Sequence, residues 1–297
     1  MASNSVLQPV RDRGWLHGFG NLVRRENHRW WGTRQWIVQI LIWTLIVNGI
    51  LAMLLISAKD AAAQARNEAV REAISEQQAQ QGDAEAAQAL QADFPLPVEG
   101  VMVFFIFLGM ATGVGVAILG QEAIVQEKQT GTAAWVLSKP ASRIAFVLSK
   151  IAGNALGILV TMVAVQGLVA WVLFRTIGGV SLPVGGFIAG LGLAYLNLLF
   201  YLLLAIMLGT LFDSRGPVIG ITLLLLFGFQ IFTSLAPWLF KVMPWILVMS
   251  VGEDTLAYAT MLALGQPLPS TLPIIATALW CLVFAGVSLW RFSREEF

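Results

Sequence analysis

Long apolar runs alternate with short polar segments along this chain of 297 residues. Each run is roughly 18–25 residues long, the length that a helix needs to cross about 30 Å of hydrocarbon. Helices also satisfy every backbone donor and acceptor internally, as lipid requires. The runs predict six spans, at residues 36–56, 101–119, 151–174, 187–211, 218–240 and 273–290. The pattern therefore predicts an all-α, polytopic helical membrane protein with six transmembrane helices.

Composition and charge placement agree with this architecture. Hydrophobic residues make up 57% of the chain and charged residues 12%, against about 25% charged in soluble domains. Thirteen of the 18 Lys and Arg residues fall in the N-terminal segment, the loop after the second run, the loop after the fourth and the C-terminus. Because basic residues concentrate in cytoplasmic loops, both termini are predicted to be cytoplasmic, in a multi-pass protein of the bacterial or archaeal cell membrane.

The N-terminal unit, residues 1–35, precedes a transmembrane domain predicted over residues 36–297. Within it, residues 14–31 place an apolar face opposite Arg24 and His28. The apolar face contains Trp15, Leu16, Phe19, Leu22, Val23 and Trp30. Tryptophan at headgroup level with arginine toward phosphate is typical of an interfacial amphipathic helix. A disordered basic tail is the alternative.

Two segments are predicted outside the membrane on the far side. Residues 58–99 are rich in Ala, Gln and Glu and predict a helical hairpin, with a helix over 58–81, a break at Gly82-Asp83 and a second helix to 92. A solvated spacer and a substrate-binding element are its two interpretations. Residues 241–270 hold apolar pieces too short to span, which predict short interfacial or re-entrant helices.

Catalytic and metal chemistry are not indicated. No Gly-Lys dipeptide occurs, so the chain has no phosphate-binding loop of the GxxxxGK[ST] type. His17 and His28 lack metal-site spacing, and Cys281 lies alone in an apolar run. We therefore predict no catalytic, cofactor-binding or metal-binding residues and no enzyme activity. The predicted span centres also lack Asp, Glu, Lys and Arg, which disfavours an ion-coupled carrier.

Small and polar residues punctuate the apolar runs. Three glycine pairs at a spacing of four predict close helix packing, within the bundle or at a dimer seam: Gly109 and Gly113, Gly153 and Gly157, Gly186 and Gly190. Polar side chains at span depth predict interhelical hydrogen bonds, or alternatively a polar lining for a substrate route. The candidates for that lining are Asn154, Gln166, Asn197 and Gln230.

The loop at residues 122–143 is the most structured polar segment. Gly131 interrupts the helix of the second span, Thr132 is a good N-cap, and Pro140 stops the short helix predicted over 133–139. Trp135, Val136 and Leu137 give this two-turn helix an apolar tip.

The two arms of this loop carry opposite charges. Glu122 and Glu127 lie on the descending arm, and Arg143 and Lys150 on the ascending arm, which Ser142 can cap. This placement predicts a clamp between the arms, for which the pair Glu127 and Arg143 is the proposed test.

The pattern E-x3-G-T-x7-P-x2-R-x6-K resembles the signature of ABC type-2 transporter permeases. Its six positions here are Glu127, Gly131, Thr132, Pro140, Arg143 and Lys150. The resemblance implies that the loop is a coupling helix docking on a separate ATP-binding subunit, and that residues 14–31 are the elbow helix. The residues that would contact the ATPase are Glu127, Gly131, Thr132, Trp135, Val136, Leu137, Pro140 and Arg143.

The resemblance also implies partners. ATP and Mg would be bound by the ATPase subunit and none by this chain. The permease would pair with a second copy or a related permease in membrane lipid, without nucleic acid. The expected function is the membrane subunit of an ATP-driven exporter. A membrane component of an ABC-type assembly or mechanotransmission complex acting on an extracytoplasmic partner is one alternative, and a stand-alone secondary carrier is another.

Overall fold

The computed structural model describes residues 14–77, 96–132, 142–250 and 255–295, and all regular elements in these ranges are helices. The predicted break at Gly82-Asp83, the second outer helix and the tip of the 122–143 loop lie outside the described residues. The α-helices are Phe19–Trp31, Gln35–Trp43, Gly49–Gln77, Leu96–Gln121, Glu127–Gln129, Arg143–Ile158, Val165–Thr176, Val184–Leu211, Arg215–Phe227, Phe229–Leu235, Trp245–Val248, Tyr258–Ala263 and Leu272–Ser293.

Five continuous helices are long and apolar enough to cross a membrane. They are the first span Gln35–Glu68, the second span Val98–Gln129, the third span Arg143–Thr176, the fourth span Val184–Leu211 and the sixth span Leu272–Ser293. Short π-helical turns at Thr44–Asn48, Glu122–Gln126 and Leu159–Ala164 join the α-helical parts of the first three. The prediction of a polytopic helical membrane protein is confirmed.

The fifth span departs from the straight helix predicted at 218–240. It consists of Arg215–Phe227 and Phe229–Leu235, with a bend of 65° between them. A side chain at Gly228 would lie 2.4 Å from the carbonyl oxygen of Leu224, so glycine allows the backbone to turn sharply here. A 3₁₀ helix, Pro237–Lys241, follows the bend.

The bundle has one end at which most polar contacts gather, called the basic end below. It carries the N-terminal helix Phe19–Trp31, the residues on both sides of the 133–141 gap, Asp213 and the C-terminal end of the sixth span. Because the fourth and sixth spans both finish there, the chain must cross the bundle between Asp213 and Leu272. The bent pair lies in this stretch and, counted as one broken span, brings the candidate membrane spans from five to six.

Glycines set how closely the helices approach, and all three predicted pairs pack inside the chain. A side chain at Gly109 would meet Val248, one at Gly157 would meet the Trp30 ring, and one at Gly190 would meet the carbonyl oxygen of Ala259. Their partners Gly113, Gly153 and Gly186 face Leu226, Glu26 and Leu262. The structure therefore supports packing within the bundle, as small residues at helix interfaces permit.

The short helices Trp245–Val248 and Tyr258–Ala263 lie at the end opposite the basic end. They pack on the second and fourth spans, and Trp245 donates its indole N–H to the carbonyl oxygen of Leu225 at 2.9 Å. Leu247 and Ala259 are fully buried. Both helices, of 4 and 6 residues, are too short to span a membrane, and the predicted interfacial or re-entrant position of residues 241–270 remains a prediction.

The first span continues past the bilayer as a single helix. From Gln35 to Gln77 the helix is unbroken, a length of about 64 Å at 1.5 Å per residue. That is about twice the hydrocarbon thickness. Side chains beyond Ser57 are mostly exposed up to Glu68, so this extension stands away from the bundle.

Candidate functional site: the charged junction at the basic end

The structure describes the two ends of the 122–143 loop, on either side of residues 133–141. Its descending arm ends at Gln129, and Gly131 takes a left-handed backbone conformation with φ of 70°, which favours glycine. The Thr132 hydroxyl lies 2.9 Å from the Thr130 hydroxyl. On the ascending arm, the Ser142 hydroxyl accepts a hydrogen bond from the backbone N–H of Ala145 at 2.9 Å, so the predicted cap is confirmed.

The N-terminal helix packs against the third span at this end. The buried positions Leu22, Glu26 and Trp30 recur every four residues and so share one face. Gly153 and Gly157 leave space for Glu26 and Trp30 on the facing helix. The apolar face of this helix therefore packs on the third span. The amphipathic pattern had predicted that this face would lie at the membrane interface.

Two polar contacts fix this packing. The Trp30 indole N–H donates to the Asn154 side-chain oxygen at 3.3 Å. Ahead of the helix, the backbone N–H of Ser142 donates to the carbonyl oxygen of His17 at 2.9 Å. The start of the third span is thus tied to the N-terminal segment at two places.

Lys150 is the centre of the junction. Its side chain is 1% exposed, and its ammonium lies 2.6 Å from Oε1 of Glu26 on the N-terminal helix. The same ammonium contacts Oε1 of Glu127 at the end of the second span. Lys150 therefore joins three elements, and Glu26 and Glu127 are themselves 3% and 9% exposed.

Two arginines of the N-terminal helix extend the junction. Arg25 lies 3.8 Å from Oε1 of Glu127, and Arg29 lies 3.2 Å from Oε2 of Glu122. We define the charged junction as Arg25, Glu26, Arg29, Glu122, Glu127 and Lys150. These six formal charges sum to zero, so the carboxylates are balanced without a counterion from solvent.

The π-helical turn Glu122–Gln126 leads directly into Glu127. Such a turn holds one residue more than an α-helical turn and is frequent at functional sites. Here the turn begins at Glu122 and ends just before Glu127. These two carboxylates of the descending arm contact Arg29 and Lys150.

A second ionic cluster joins the same arm to the rest of the basic end. Lys128 lies 2.6 Å from Oδ1 of Asp213 and 2.7 Å from Oε1 of Glu295. Gln129 donates to the carbonyl oxygen of Asp213 at 2.9 Å. The hydrogen bond from Lys128 and its charge hold the pKa of the Asp213 carboxyl below its ordinary value. The descending arm is thus fixed to the loop between spans four and five and to the C-terminus.

The predicted clamp between the arms exists, with Lys150 as the partner of Glu127. Arg143, which was named for the charge-reversal test, donates to the carbonyl oxygen of Ser293 at 3.1 Å and so contacts the end of the sixth span. Charge reversal at Glu127 and Lys150 is therefore the more direct test of the clamp.

Several predicted contact residues lie outside the described part of the chain. They are Trp135, Val136, Leu137 and Pro140. Their contact with an ATPase remains a prediction, as does that of Glu127, Gly131, Thr132 and Arg143. The structure describes the residues on either side of this segment, up to Thr132 and from Ser142.

The four polar residues proposed to line a route do not form one cluster of contacts. Gln166 accepts hydrogen bonds from Asn48 at 2.7 Å and Thr44 at 3.1 Å, which joins the third span to the first. Asn154 belongs to the contact with Trp30. Asn197 is buried on the fourth span, with its amide near Gly109, and Gln230 is exposed after the bend. The lining interpretation stays a prediction.

Sequence reasoning missed Glu26, Lys128, Asp213 and Glu295 as site residues. Glu26 is the only acidic residue in the sequence from Gly14 to the start of the first span at Gln35. It lies on the apolar face of its helix. That position was the available signal, because an isolated carboxylate on a buried face requires a cation.

A model of the family described as ABC-2 family transporter protein matches residues 32–297. The match thus covers all six spans and begins just after the N-terminal helix. The comparison with curated proteins gave no match.

Proposed function

The chain belongs to the ABC-2 family of transporter membrane proteins, and from this we propose that it is the permease subunit of an ATP-driven exporter. ATP and Mg are bound by a separate nucleotide-binding subunit, which docks on the 122–143 loop. Two permeases, identical or related, form the transport unit in the cell membrane. The basic end faces the cytoplasm, in keeping with its excess of Lys and Arg.

The charged junction is the observation that carries this proposal. A force applied to the loop reaches Glu127 on one arm and Ser142 on the other. Glu127 contacts Lys150 of the third span, and Lys150 contacts Glu26 of the N-terminal helix. The second span, the third span and the N-terminal helix are thus linked as a stiff unit, of the kind that moves as a rigid body in switching transitions.

The loop tip supplies the contact. The two-turn helix predicted from the sequence would present Trp135 and Leu137, which can bury apolar area in a pocket of the ATPase. Each fully buried side chain of this size stabilises a complex by roughly 1.5–3 kcal/mol. Substitution at Trp135 should therefore weaken docking more than a substitution elsewhere on the polar surface.

The test is Trp135→Asp in the full-length chain, purified from membranes of the native host. We expect the ATP-binding subunit to co-purify with the wild type and to be depleted about tenfold in the variant. This depletion corresponds to a loss of at least about 1.4 kcal/mol of binding free energy. Trp238→Asp is the matched control, because Trp238 is 63% exposed and lies at the opposite end. Undiminished co-purification and ATPase activity in Trp135→Asp would overturn the docking role.

A second candidate function is supported by the long helix of the first span. Its extension beyond Ser57 is mostly exposed up to Glu68 and is therefore accessible to an extracytoplasmic partner of an ABC-type assembly complex. Replacing residues 60–92 with a short Gly/Ser linker separates the two functions. The exporter function predicts unchanged export of its substrate, whereas the assembly function predicts loss of the outer partner on purification with the ATPase retained.

A further inference from the structure

A groove runs between the third and fourth spans in the half of the bundle away from the basic end. Its volume is about 610 Å³, and it is lined from Leu159 to Trp171 on one helix and from Val184 to Tyr195 on the other. The lined stretch of each helix is about 18 Å long at 1.5 Å per residue. One leaflet contributes about half of the 30 Å hydrocarbon layer, so the groove has the length of one acyl chain.

The groove is lined almost entirely by apolar side chains. Tyr195 and Trp171 are its two lining residues with a polar side-chain atom, and the Tyr195 hydroxyl already donates to the carbonyl oxygen of Ala155 at 3.0 Å. Leu168 and Ile188 on the two walls are 64% and 61% exposed. Nothing in the described structure lies within 4 Å of a side chain built at Gly192. The π-helical turn Leu159–Ala164 forms the inner end of one wall.

A cation stands at the outer mouth of this groove. The guanidinium of Arg175 stacks over the ring of Trp171 at 5.4 Å, one helical turn beyond the lining. Among the described residues, no carboxylate lies within 4.0 Å of Arg175. Arginine matches the geometry of phosphate, and tryptophan prefers the headgroup region.

We propose that this groove binds a glycerophospholipid from the leaflet at that end of the bundle. One acyl chain lies between Leu168 and Ile188, and the phosphate contacts Arg175. The apolar groove alone would suit any hydrophobic surface, including a second copy of this chain. Arg175 at the depth of the headgroups, with no carboxylate partner among the described residues, selects a lipid that carries phosphate. The site requires only that the chain spans a membrane and does not rest on the proposed transport function.

Native mass spectrometry of the full-length, delipidated chain tests the site. The probes are dioleoyl phosphatidylglycerol and dioleoylglycerol, which share their acyl chains and differ in the phosphate headgroup. Arg175→Gln should weaken phosphatidylglycerol binding about tenfold, because it removes the charged hydrogen-bond donor that contacts the phosphate. It should leave dioleoylglycerol binding unchanged. Arg66→Gln, at an exposed arginine of the first span's extension, is the control.

Gly192→Leu tests the chain-binding part of the groove. It should weaken both lipids about tenfold by filling the space that the acyl chain occupies. Gly286→Leu is matched, because a side chain at Gly286 on the sixth span also meets nothing within 4 Å. Leu168→Trp is the second variant that narrows the groove, should Gly192→Leu reduce insertion.

Three outcomes would overturn the proposal. One is equal lipid binding by wild type, Arg175→Gln and Gly192→Leu. Another is equal weakening by Gly192→Leu and Gly286→Leu. The third is a change of oligomeric mass in Gly192→Leu with lipid binding unaltered, which would assign the groove to a second copy.

Discussion

Replacing Lys150 by methionine removes the cation at the centre of the charged junction. The side chain keeps its length and apolar stem, so the packing against the third-span neighbours is largely retained. Glu26 and Glu127, both nearly buried, then face each other without the ammonium that contacts each of them. Arg25 at 3.8 Å remains near Glu127 but its side chain is 42% exposed.

The magnitude follows from the contact distance. At an effective dielectric constant of about 20, charges separated by 2.6 Å attract by about 6 kcal/mol before desolvation is counted. Removing one partner of a buried ion pair destabilises proteins by about 3–5 kcal/mol. We expect Lys150→Met to lower the free energy of unfolding by an amount in this range.

Charge balance gives a sharper test than the single variant. Adding Glu26→Gln to Lys150→Met leaves Glu127 paired with Arg25 and restores a net charge of zero. We expect the double variant to recover at least about 1 kcal/mol of the loss, a coupling typical of residues in one network. Lys241→Met, at an exposed lysine of the opposite end, should stay within about 0.5 kcal/mol of the wild type.

Denaturant unfolding of the full chain in mixed micelles, followed by far-ultraviolet circular dichroism, measures these differences. A loss below about 1 kcal/mol in Lys150→Met would refute the buried ion network as a source of stability. A double variant less stable than Lys150→Met would refute the charge-balance reasoning even if the single variant behaves as expected.

Three further predictions concern neighbouring contacts. Gly157→Ala places a methyl group against the buried indole of the N-terminal helix and should cost about 1–3 kcal/mol, whereas Gly20→Ala, which meets open space, should not destabilise in the same assay. Asp213→Asn should reduce the dependence of the free energy of unfolding on pH at acid pH. The pKa of Asp213 is lowered in the folded chain, so its carboxylate stabilises the fold above the ordinary value of 3.8, and this stabilisation is lost as pH falls through the folded pKa. An Asp213→Asn variant with the same pH dependence as the wild type would contradict this prediction. Gln166→Leu removes the acceptor of Asn48 and should cost about 0.6–2 kcal/mol, the range for hydrogen bonds between membrane helices; an effect above about 3 kcal/mol would assign Gln166 a larger role.

The apolar runs were sufficient to predict the spans, because length and hydropathy alone decide whether a helix crosses a bilayer. The bend at Gly228 was not predicted, because a single glycine in an apolar run is compatible with a straight helix as well as with a bent one. The kink depends on the backbone of residues 224–232 and on packing with Trp245, which are tertiary features.

The charged junction was only half predicted. Opposite charges on the two arms of the loop predicted a clamp, and Lys150 with Glu127 provides it. Glu26 is distant in sequence, and its contact depends on how the N-terminal helix docks on Gly153 and Gly157. Such a pairing across more than a hundred residues has no local sequence signal, apart from the oddity of a carboxylate on an apolar face.

Contact between the loop tip and an ATP-binding subunit can be measured by site-specific photo-crosslinking. A benzophenone amino acid replaces Trp135 in one variant and Trp238 in another, each expressed in the native host. We expect an adduct from position 135 alone, whose peptides include the Gly-Lys-Ser/Thr sequence of a phosphate-binding loop. An adduct with that subunit from position 238, or none from position 135 while the complex is intact, would contradict it.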